Sequence, residues 1–256
     1  MNKEELIQAV RYYEGDVSGN DPLLSDDKAY VTLNALFFPG TENEEIKVRE
    51  NKFLNPAFIS RKTEILTIIH NLFLAIHDNP CPKDIITYRV ERLYDFNLLY
   101  KESRTIAFTS TSKNGFLNAY GDKEGIVLMR FHIPAGLPCL DMWTFLPVYA
   151  KKDESEILLP PFLRVSIKEC ELSEQDKMIK DRNGNPPAGL FDIEINGFHV
   201  PDITGTDAYD EEKAVSFLNK LSMEKPVLPE ERQAYLKFKL HILHCIIQDF
   251  HSQFLP

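Results

Sequence analysis

The sequence predicts an α+β protein, with helices toward both ends of the chain and a strand-rich region in the middle. Three observations support this prediction. Apolar residues recur at helical spacing over residues 3–14 and 55–77. Between residues 85 and 170 the apolar period changes to two, which is typical of strands. Helical patterns return over residues 208–222 and 229–254.

The boundaries of these elements follow from local signals. Asn55 as N-cap and Pro56 at the first helical position begin the second helix, and Asn79-Pro80 ends it. Asn196-Gly197 is a hairpin signal and predicts two short strands over residues 192–200. The other predicted strands cover residues 85–90, 106–112, 125–133, 154–159 and 162–170.

The amino-acid composition argues against some classes of binding partner. The 256 residues include 29 basic and 39 acidic side chains, for a net charge of −10. Because phosphate backbones and anionic lipid repel such a chain, we expect no nucleic-acid partner and no membrane partner. The four cysteines (81, 139, 170 and 245) lack the spacing of a metal site or a disulfide framework. They are expected to be free thiols, and no metal cofactor is predicted.

The N-terminal sequence gives an expectation about location. The first residues lack the apolar core of a signal peptide, and no apolar run approaches 18 residues. We expect the protein to be cytoplasmic as synthesised. Any secretion into a host or target cell would then use a route without a cleaved signal.

Two glutamates open the predicted strand over residues 154–159. Side chains alternate along a strand, so Glu154 and Glu156 should share one face, about 7 Å apart. Carboxylates at the start of an apolar strand are costly unless water, a partner or a substrate uses them. Taken alone, Glu-x-Glu is most simply a pair of solvated residues on an edge strand.

Two earlier strands also carry polar residues, and together the three motifs resemble a known family. The motifs are Tyr88-Arg89-Val90, the segment Phe108–Ser112, and Glu-Ser-Glu-Ile-Leu-Leu-Pro-Pro from Glu154. In this order they resemble mono-ADP-ribosyltransferases of the Arg–Ser–Glu class, which includes clostridial binary toxins and vertebrate arginine-specific ecto-enzymes. The resemblance covers residues 59–166. It implies two small packed β-sheets with NAD bound in a cleft between them, a helical N-terminal region and a helical C-terminal extension.

The resemblance also implies roles for the motif residues. Glu156 would be the catalytic carboxylate, hydrogen-bonded to a ribose hydroxyl of NAD, and Ser110 would hold Glu156 in place. Arg89 would bind the NAD pyrophosphate through its forked donors. Its alternative is a structural ion pair with Glu91 or Asp95.

Further residues complete the implied NAD site. Tyr88 and Ser112, close to Arg89 and Ser110 in the motifs, are candidate NAD-binding residues. Phe116, in the loop Lys113-Asn114-Gly115-Phe116, is the candidate to pack on nicotinamide. No Gly-x-Gly-x-x-Gly motif is present, so NAD would not be held in Rossmann fashion.

Glu154 determines the predicted acceptor. In the resembled family, Glu-x-Glu accompanies transfer to arginine, and Glu154 would orient the guanidinium. The loop over residues 143–153 corresponds to the family's acceptor-recognising loop. Tyr149 in this loop either contacts the acceptor or packs into the core.

Other chemistries have weaker support. His241 and His244 lie at i, i+3 on the last predicted helix, with His251 seven residues on, but no ligand set accompanies them. The Gly-x-Ser-x-Gly motif of a serine hydrolase is absent.

The predicted organisation has two parts. Residues 1–170 form the ADP-ribosyltransferase catalytic domain, helical over 1–80 and strand-rich over 81–170. Residues 171–256 form an extension that either recognises the target or covers one face of the sheets.

The predicted function is NAD-dependent mono-ADP-ribosylation of an arginine on a target protein. The alternatives are an NAD glycohydrolase and an inactive binding module of the same fold. A bacterial effector and an endogenous regulatory enzyme both fit.

Overall fold

The computed structural model describes residues 3–14, 29–38, 56–116, 124–146, 155–203, 208–223 and 225–255. These residues hold eight α-helices and seven strands, which confirms the α+β prediction. The helices are α1 Lys3–Tyr13, α2 Ala29–Ala35, α3 Ala57–Ser60, α4 Lys62–His77, α5 Leu93–Glu102, α6 Met142–Phe145, α7 Glu211–Ser222 and α8 Pro229–Phe254. The strands are β1 Ile85–Arg92, β2 Thr109–Ser112, β3 Ile126–Ile133, β4 Leu140–Asp141, β5 Glu156–Leu159, β6 Leu163–Cys170 and β7 Leu190–Phe198.

The chain forms two compact units. The helical unit comprises Met1–Ala75 together with Pro201–Pro256, and the sheet unit is Ile76–Val200. These limits do not follow the predicted boundary at residue 170, because β7 pairs within the sheet. Among the described helices, none has both the length and the apolar character needed to cross a membrane.

The helical unit is built on α8. Its buried face carries aromatic and branched residues at helical spacing. Phe250 meets Phe73 of α4 edge to face at 5.4 Å, and Tyr235 stacks on Phe217 of α7 at 4.6 Å. Lys239 is fully buried on the same helix, and its Nζ donates to the Ala35 carbonyl at the end of α2. This charge-assisted bond to a helix C-terminus offsets part of the cost of burying the ammonium.

The sheet unit contains one hydrogen-bonded sheet of seven strands in the order β4-β5-β2-β1-β3-β7-β6. The resemblance implied two small sheets, whereas here all the described strands belong to one sheet. Among them, only β3 and β7 pair in parallel. One face carries the larger core, in which Phe96 of α5 stacks on Phe191 at 4.1 Å. The opposite face has a smaller apolar cluster around Val90, Leu128 and Leu190.

Several predicted boundaries need correction. The helix predicted over 55–77 is divided at Arg61 into α3 and α4, and its predicted N-cap, Asn55, lies outside the described residues. The hairpin predicted over 192–200 is wrong, because β7 runs as a single strand from Leu190 to Phe198. Gly197 has φ +97° and lies where the β6–β7 register shifts, so Asn196-Gly197 forms an irregularity in a strand instead of a turn.

Candidate active site

Three neighbouring strands bring the motif residues together. Tyr88 on β1 lies directly opposite Ser112 on β2, and Ser112 lies directly opposite Glu156 on β5. Directly opposed residues in antiparallel strands point to the same face of a sheet. Ser110, two residues before Ser112, points to that face as well. We call this row of Tyr88, Ser112 and Glu156 the carboxylate row.

Glu156 is the first residue of β5 and is half-buried. Ser112 beside it is only 5% exposed, and its Oγ accepts a hydrogen bond from the Asn114 backbone N–H at 3.1 Å. Ser110 is opposite Leu158 and is therefore a diagonal neighbour of Glu156. Serine hydroxyls at these two positions are within the range over which side chains on paired strands interact.

Arg89 is placed differently. It follows Tyr88 on β1, so alternation starts its side chain on the opposite face from the carboxylate row. Its Nε donates to Glu91 Oε2 at 2.9 Å, and its Nη1 donates to the Ser110 carbonyl at 2.6 Å. From the sequence, this ion pair with Glu91 was the alternative to a contact between Arg89 and the NAD pyrophosphate. As placed, Arg89 ties β1 to the segment of β2 that carries Ser110, and 24% of its side chain is exposed.

Phe116 packs against the carboxylate row. Its ring meets Tyr88 edge to face, with centroids 5.1 Å apart. The same side chain packs against the smaller apolar cluster. The Phe116 ring therefore lies beside Tyr88, and Tyr88 is on the strand next to Ser112.

The predicted acceptor residues lie outside the described part of the chain. This applies to both Glu154 and Tyr149. The strand predicted from Glu154 begins at Glu156, because Ser155 has φ +43° and is not extended. The predicted loop from Trp143 begins with a short helix, α6, whose N-cap Asp141 accepts from the Thr144 N–H at 3.3 Å.

The sequence reasoning missed a second polar cluster on the same face as the carboxylate row. Arg130 on β3 lies directly opposite Tyr88, and its Nε donates to Asp192 Oδ1 on β7 at 2.6 Å. The Cys170 thiol donates to Asp192 Oδ2 at 3.1 Å. Burial opposes ionisation of Asp192, but the hydrogen bonds from Arg130 and Cys170, together with His132 Nε2 at 3.3 Å, outweigh it and lower the Asp192 pKa to about 2. The alternation of Arg130 and His132 in an apolar strand was the available signal.

No metal centre is apparent in the described ranges, where no group of three or more His, Cys, Asp or Glu side chains is arranged to hold an ion. On α8, His241 has an Nε2 that lies 3.9 Å from Cys245 Sγ. Burial, followed by the charge of Lys62, lowers the pKa of His241.

No protein-family model matches the sequence, and no curated protein matches it. Several solved structures are similar to it, and some of them are described as ADP-ribosylating toxins or ADP-ribosyltransferases. The ADP-ribosylating toxin BECa of a C. perfringens binary enterotoxin, solved with NADH, is 17% identical over 75% of this chain and 43% of its own, with TM-score 0.49. The enzymatic component C2-I of the Clostridium botulinum C2-toxin is 17% identical over 75% and 44%, with TM-score 0.43. The catalytic domain of VahC from Aeromonas hydrophila is 19% identical over 77% and 100%, with TM-score 0.43. This chain spans less than half the length of the first two.

Proposed function

We propose that this protein is an NAD-dependent mono-ADP-ribosyltransferase that modifies an arginine side chain of a target protein and releases nicotinamide. The observation that carries the proposal is the carboxylate row. Three motifs that are distant in sequence occupy neighbouring strands, with Glu156 beside Ser112 and Ser112 beside Tyr88. The chemistry of NAD cleavage explains why such a row is useful.

The reaction breaks the bond between ribose C1 and the cationic nicotinamide nitrogen. Nicotinamide leaves as a neutral molecule and needs no acid, while positive charge develops on the ribose, as in glycoside cleavage. Glu156 would accept a hydrogen bond from a ribose hydroxyl and stabilise that charge. A fixed carboxylate in a partly dry site is worth several kcal/mol to such a transition state.

The neighbouring residues would bind NAD around this carboxylate. Ser110 and Ser112 offer hydroxyls on the same face, and the Phe116 ring beside Tyr88 offers an apolar surface for nicotinamide. For Arg89 we propose a contact with the pyrophosphate through its exposed fraction. Its bond to the Ser110 carbonyl would then couple NAD binding to the strand that supports Glu156.

Glu154 and Tyr149 are proposed to serve the acceptor. A guanidinium is protonated at any normal pH and is a poor nucleophile. A carboxylate close to the catalytic one can orient it and take up its proton as the new bond to ribose forms. This part of the proposal follows from the Glu-x-Glu resemblance.

A single assay tests the reaction. The purified protein is incubated with labelled NAD and a cell lysate, and the products are treated with hydroxylamine and analysed by mass spectrometry. We expect ADP-ribose on arginine in a target protein, and no labelling by Glu156→Gln. Nicotinamide release without protein labelling would instead identify an NAD glycohydrolase. Absence of both would indicate an inactive binding module.

The target and the setting are also parts of the proposal. We propose a target protein with an accessible arginine, modified by an effector delivered into another cell. Within residues 171–256, β7 is a strand of the sheet. Any role of this region in target recognition would fall to its helices, α7 and α8.

A further inference from the structure

The turn that follows β2 meets the residue that precedes β5. The Lys113 N–H donates to the Ser155 carbonyl at 3.1 Å, and Asn114 Nδ2 donates to Ser155 Oγ at 3.0 Å. The Asn114 N–H also donates to Ser112 Oγ at 3.1 Å. Asn114 therefore contacts two residues that adjoin Glu156, Ser155 along the chain and Ser112 across the sheet.

Ser155 has an unusual backbone conformation. Its φ of +43° lies in the left-handed region, which is unfavourable for a residue other than glycine. Such a residue persists where surrounding contacts determine its conformation, and these residues occur often at functional sites. Here the contacts come from the backbone of Lys113 and the side chain of Asn114.

The backbone conformation of Ser155 affects the position of the Glu156 carboxylate. Since Glu156 is bonded to Ser155, rotation about the Ser155 backbone changes the direction in which the carboxylate leaves the sheet. The pairing with Ser112 holds Glu156 where β5 begins, and the bond from the Lys113 N–H to the Ser155 carbonyl continues the backbone contact by one residue. A shift of about 1 Å in a reacting group can cost roughly a hundredfold in rate.

We propose that Asn114 is a positioning residue, which holds Ser155 in its left-handed conformation and thereby aims the Glu156 carboxylate at the NAD ribose. This inference rests on the proposed function and adds a residue outside the three motifs. Asn114 does not touch the reacting atoms. It acts through the hydrogen bond to Ser155 Oγ.

The ion pair in the same turn does not substitute for this bond. Lys113 Nζ lies 2.7 Å from Asp141 Oδ2, and both side chains are about one-third exposed. The pair joins the turn to β4 and α6 instead of to Ser155, so it does not define the Ser155 backbone angle.

The test measures catalysis and NAD binding separately. We expect Asn114→Ala to lower kcat for nicotinamide release about tenfold, while the NAD dissociation constant from calorimetry stays within about twofold. The matched control is Asn196→Ala, which removes another asparagine-to-serine bond, from Nδ2 to Ser166 Oγ at 2.7 Å, at the β6–β7 edge. The control should retain the wild-type kcat. Equal kcat in Asn114→Ala and wild type would overturn the proposal.

A double-mutant cycle tests whether Asn114 acts through Ser155. Ser155→Ala removes the same hydrogen bond from the other side, so it should lower kcat by a similar factor. The double variant should be no slower than either single variant, because only one interaction is lost. Multiplicative effects of the two changes would show independent actions and refute the assigned role. If Asn114→Ala does not fold, the kcat of Ser155→Ala tests the same hydrogen bond.

Failure of this inference is distinguishable from failure of the proposed function. If the wild-type protein releases no nicotinamide from NAD, both fall together. If the wild type is active and Asn114→Ala keeps its full kcat, only the positioning role is lost.

Discussion

Glu156 and Glu154 have different predicted tasks, although they are two residues apart. Glu156→Gln preserves size but removes the charge that stabilises the ribosyl cation, so NAD hydrolysis and protein labelling should both fall by at least about a hundredfold. Glu154→Gln should abolish transfer to arginine but leave measurable nicotinamide release, because water needs less orientation than a guanidinium. The assay is nicotinamide release from both variants, with and without agmatine. Wild-type arginine labelling by Glu154→Gln would contradict the acceptor assignment.

Arg89 and Arg130 permit a direct comparison of two cations near the carboxylate row. Arg89→Lys loses the forked donors, so we expect NAD binding to weaken by about 1–3 kcal/mol. Arg130→Lys is the matched control, since Arg130 is held by Asp192 on the far side of Tyr88. Calorimetry gives both dissociation constants. A large loss only in Arg130→Lys would transfer the pyrophosphate role to the cation that shares the Glu156 face.

At the scale of elements, the start of α8 depends on one buried carboxylate. Glu231 Oε1 accepts from Lys220 Nζ and from Ser216 Oγ, both at 2.6 Å and both on α7. Its Oε2 accepts from the Leu228 N–H at 2.8 Å. These bonds, the one from Lys220 first, lower the Glu231 pKa from 4.5 to about 2. The ionised form therefore joins α7 to α8 and satisfies a backbone donor at the helix N-terminus.

This arrangement predicts a pH-dependent contribution to stability. Because the folded-state pKa lies below the ordinary value, the contribution is complete above pH 4.5 and is lost as pH falls toward 2. Glu231→Gln should lower the free energy of unfolding at pH 7, and the difference from wild type should shrink at pH 3. Urea denaturation at the two pH values measures this difference. Glu230→Gln, which changes the exposed neighbouring residue, should differ little from wild type at either pH. A constant difference for Glu231→Gln would contradict the role of its ionised form.

At the scale of the whole molecule, cysteine burial gives a measure of global unfolding. Cys81 and Cys139 are buried in the larger core of the sheet unit, and all four thiols are free. Burial, together with the nearby Cys81, raises the Cys139 pKa to about 12, so almost no reactive thiolate is present at neutral pH.

Alkylation should therefore separate the cysteines. With iodoacetamide at pH 8, we expect the half-buried Cys170 to react in the folded protein, and Cys81 and Cys139 to react only after denaturant is added. Mass spectrometry of digested samples identifies the labelled positions. Rapid labelling of Cys139 without denaturant would mean that the core of the sheet unit opens easily.

The order of helices and strands was predictable because it depends on local periodicity. Pro229 followed by Glu230 and Glu231 predicted the start of α8, and the structure begins the helix at Pro229. The change to a period of two located β1, β3 and β6 to within a few residues. The helix α5 was missed, since it directly follows β1 without an N-cap side-chain bond at Arg92.

The sequence alone determined the residue types and the order of the candidate site: arginine, then serines, then glutamates, each at a strand. Tertiary structure decided how they meet. Strand pairing, which depends on contacts distant in sequence, set Glu156 opposite Ser112 and inserted β7 between β3 and β6. Strand pairing also brought the Ser110 carbonyl within hydrogen-bonding distance of Arg89, and it brought the turn at Asn114 against Ser155. Local patterns cannot specify these outcomes, because each requires a partner that folding alone brings into reach.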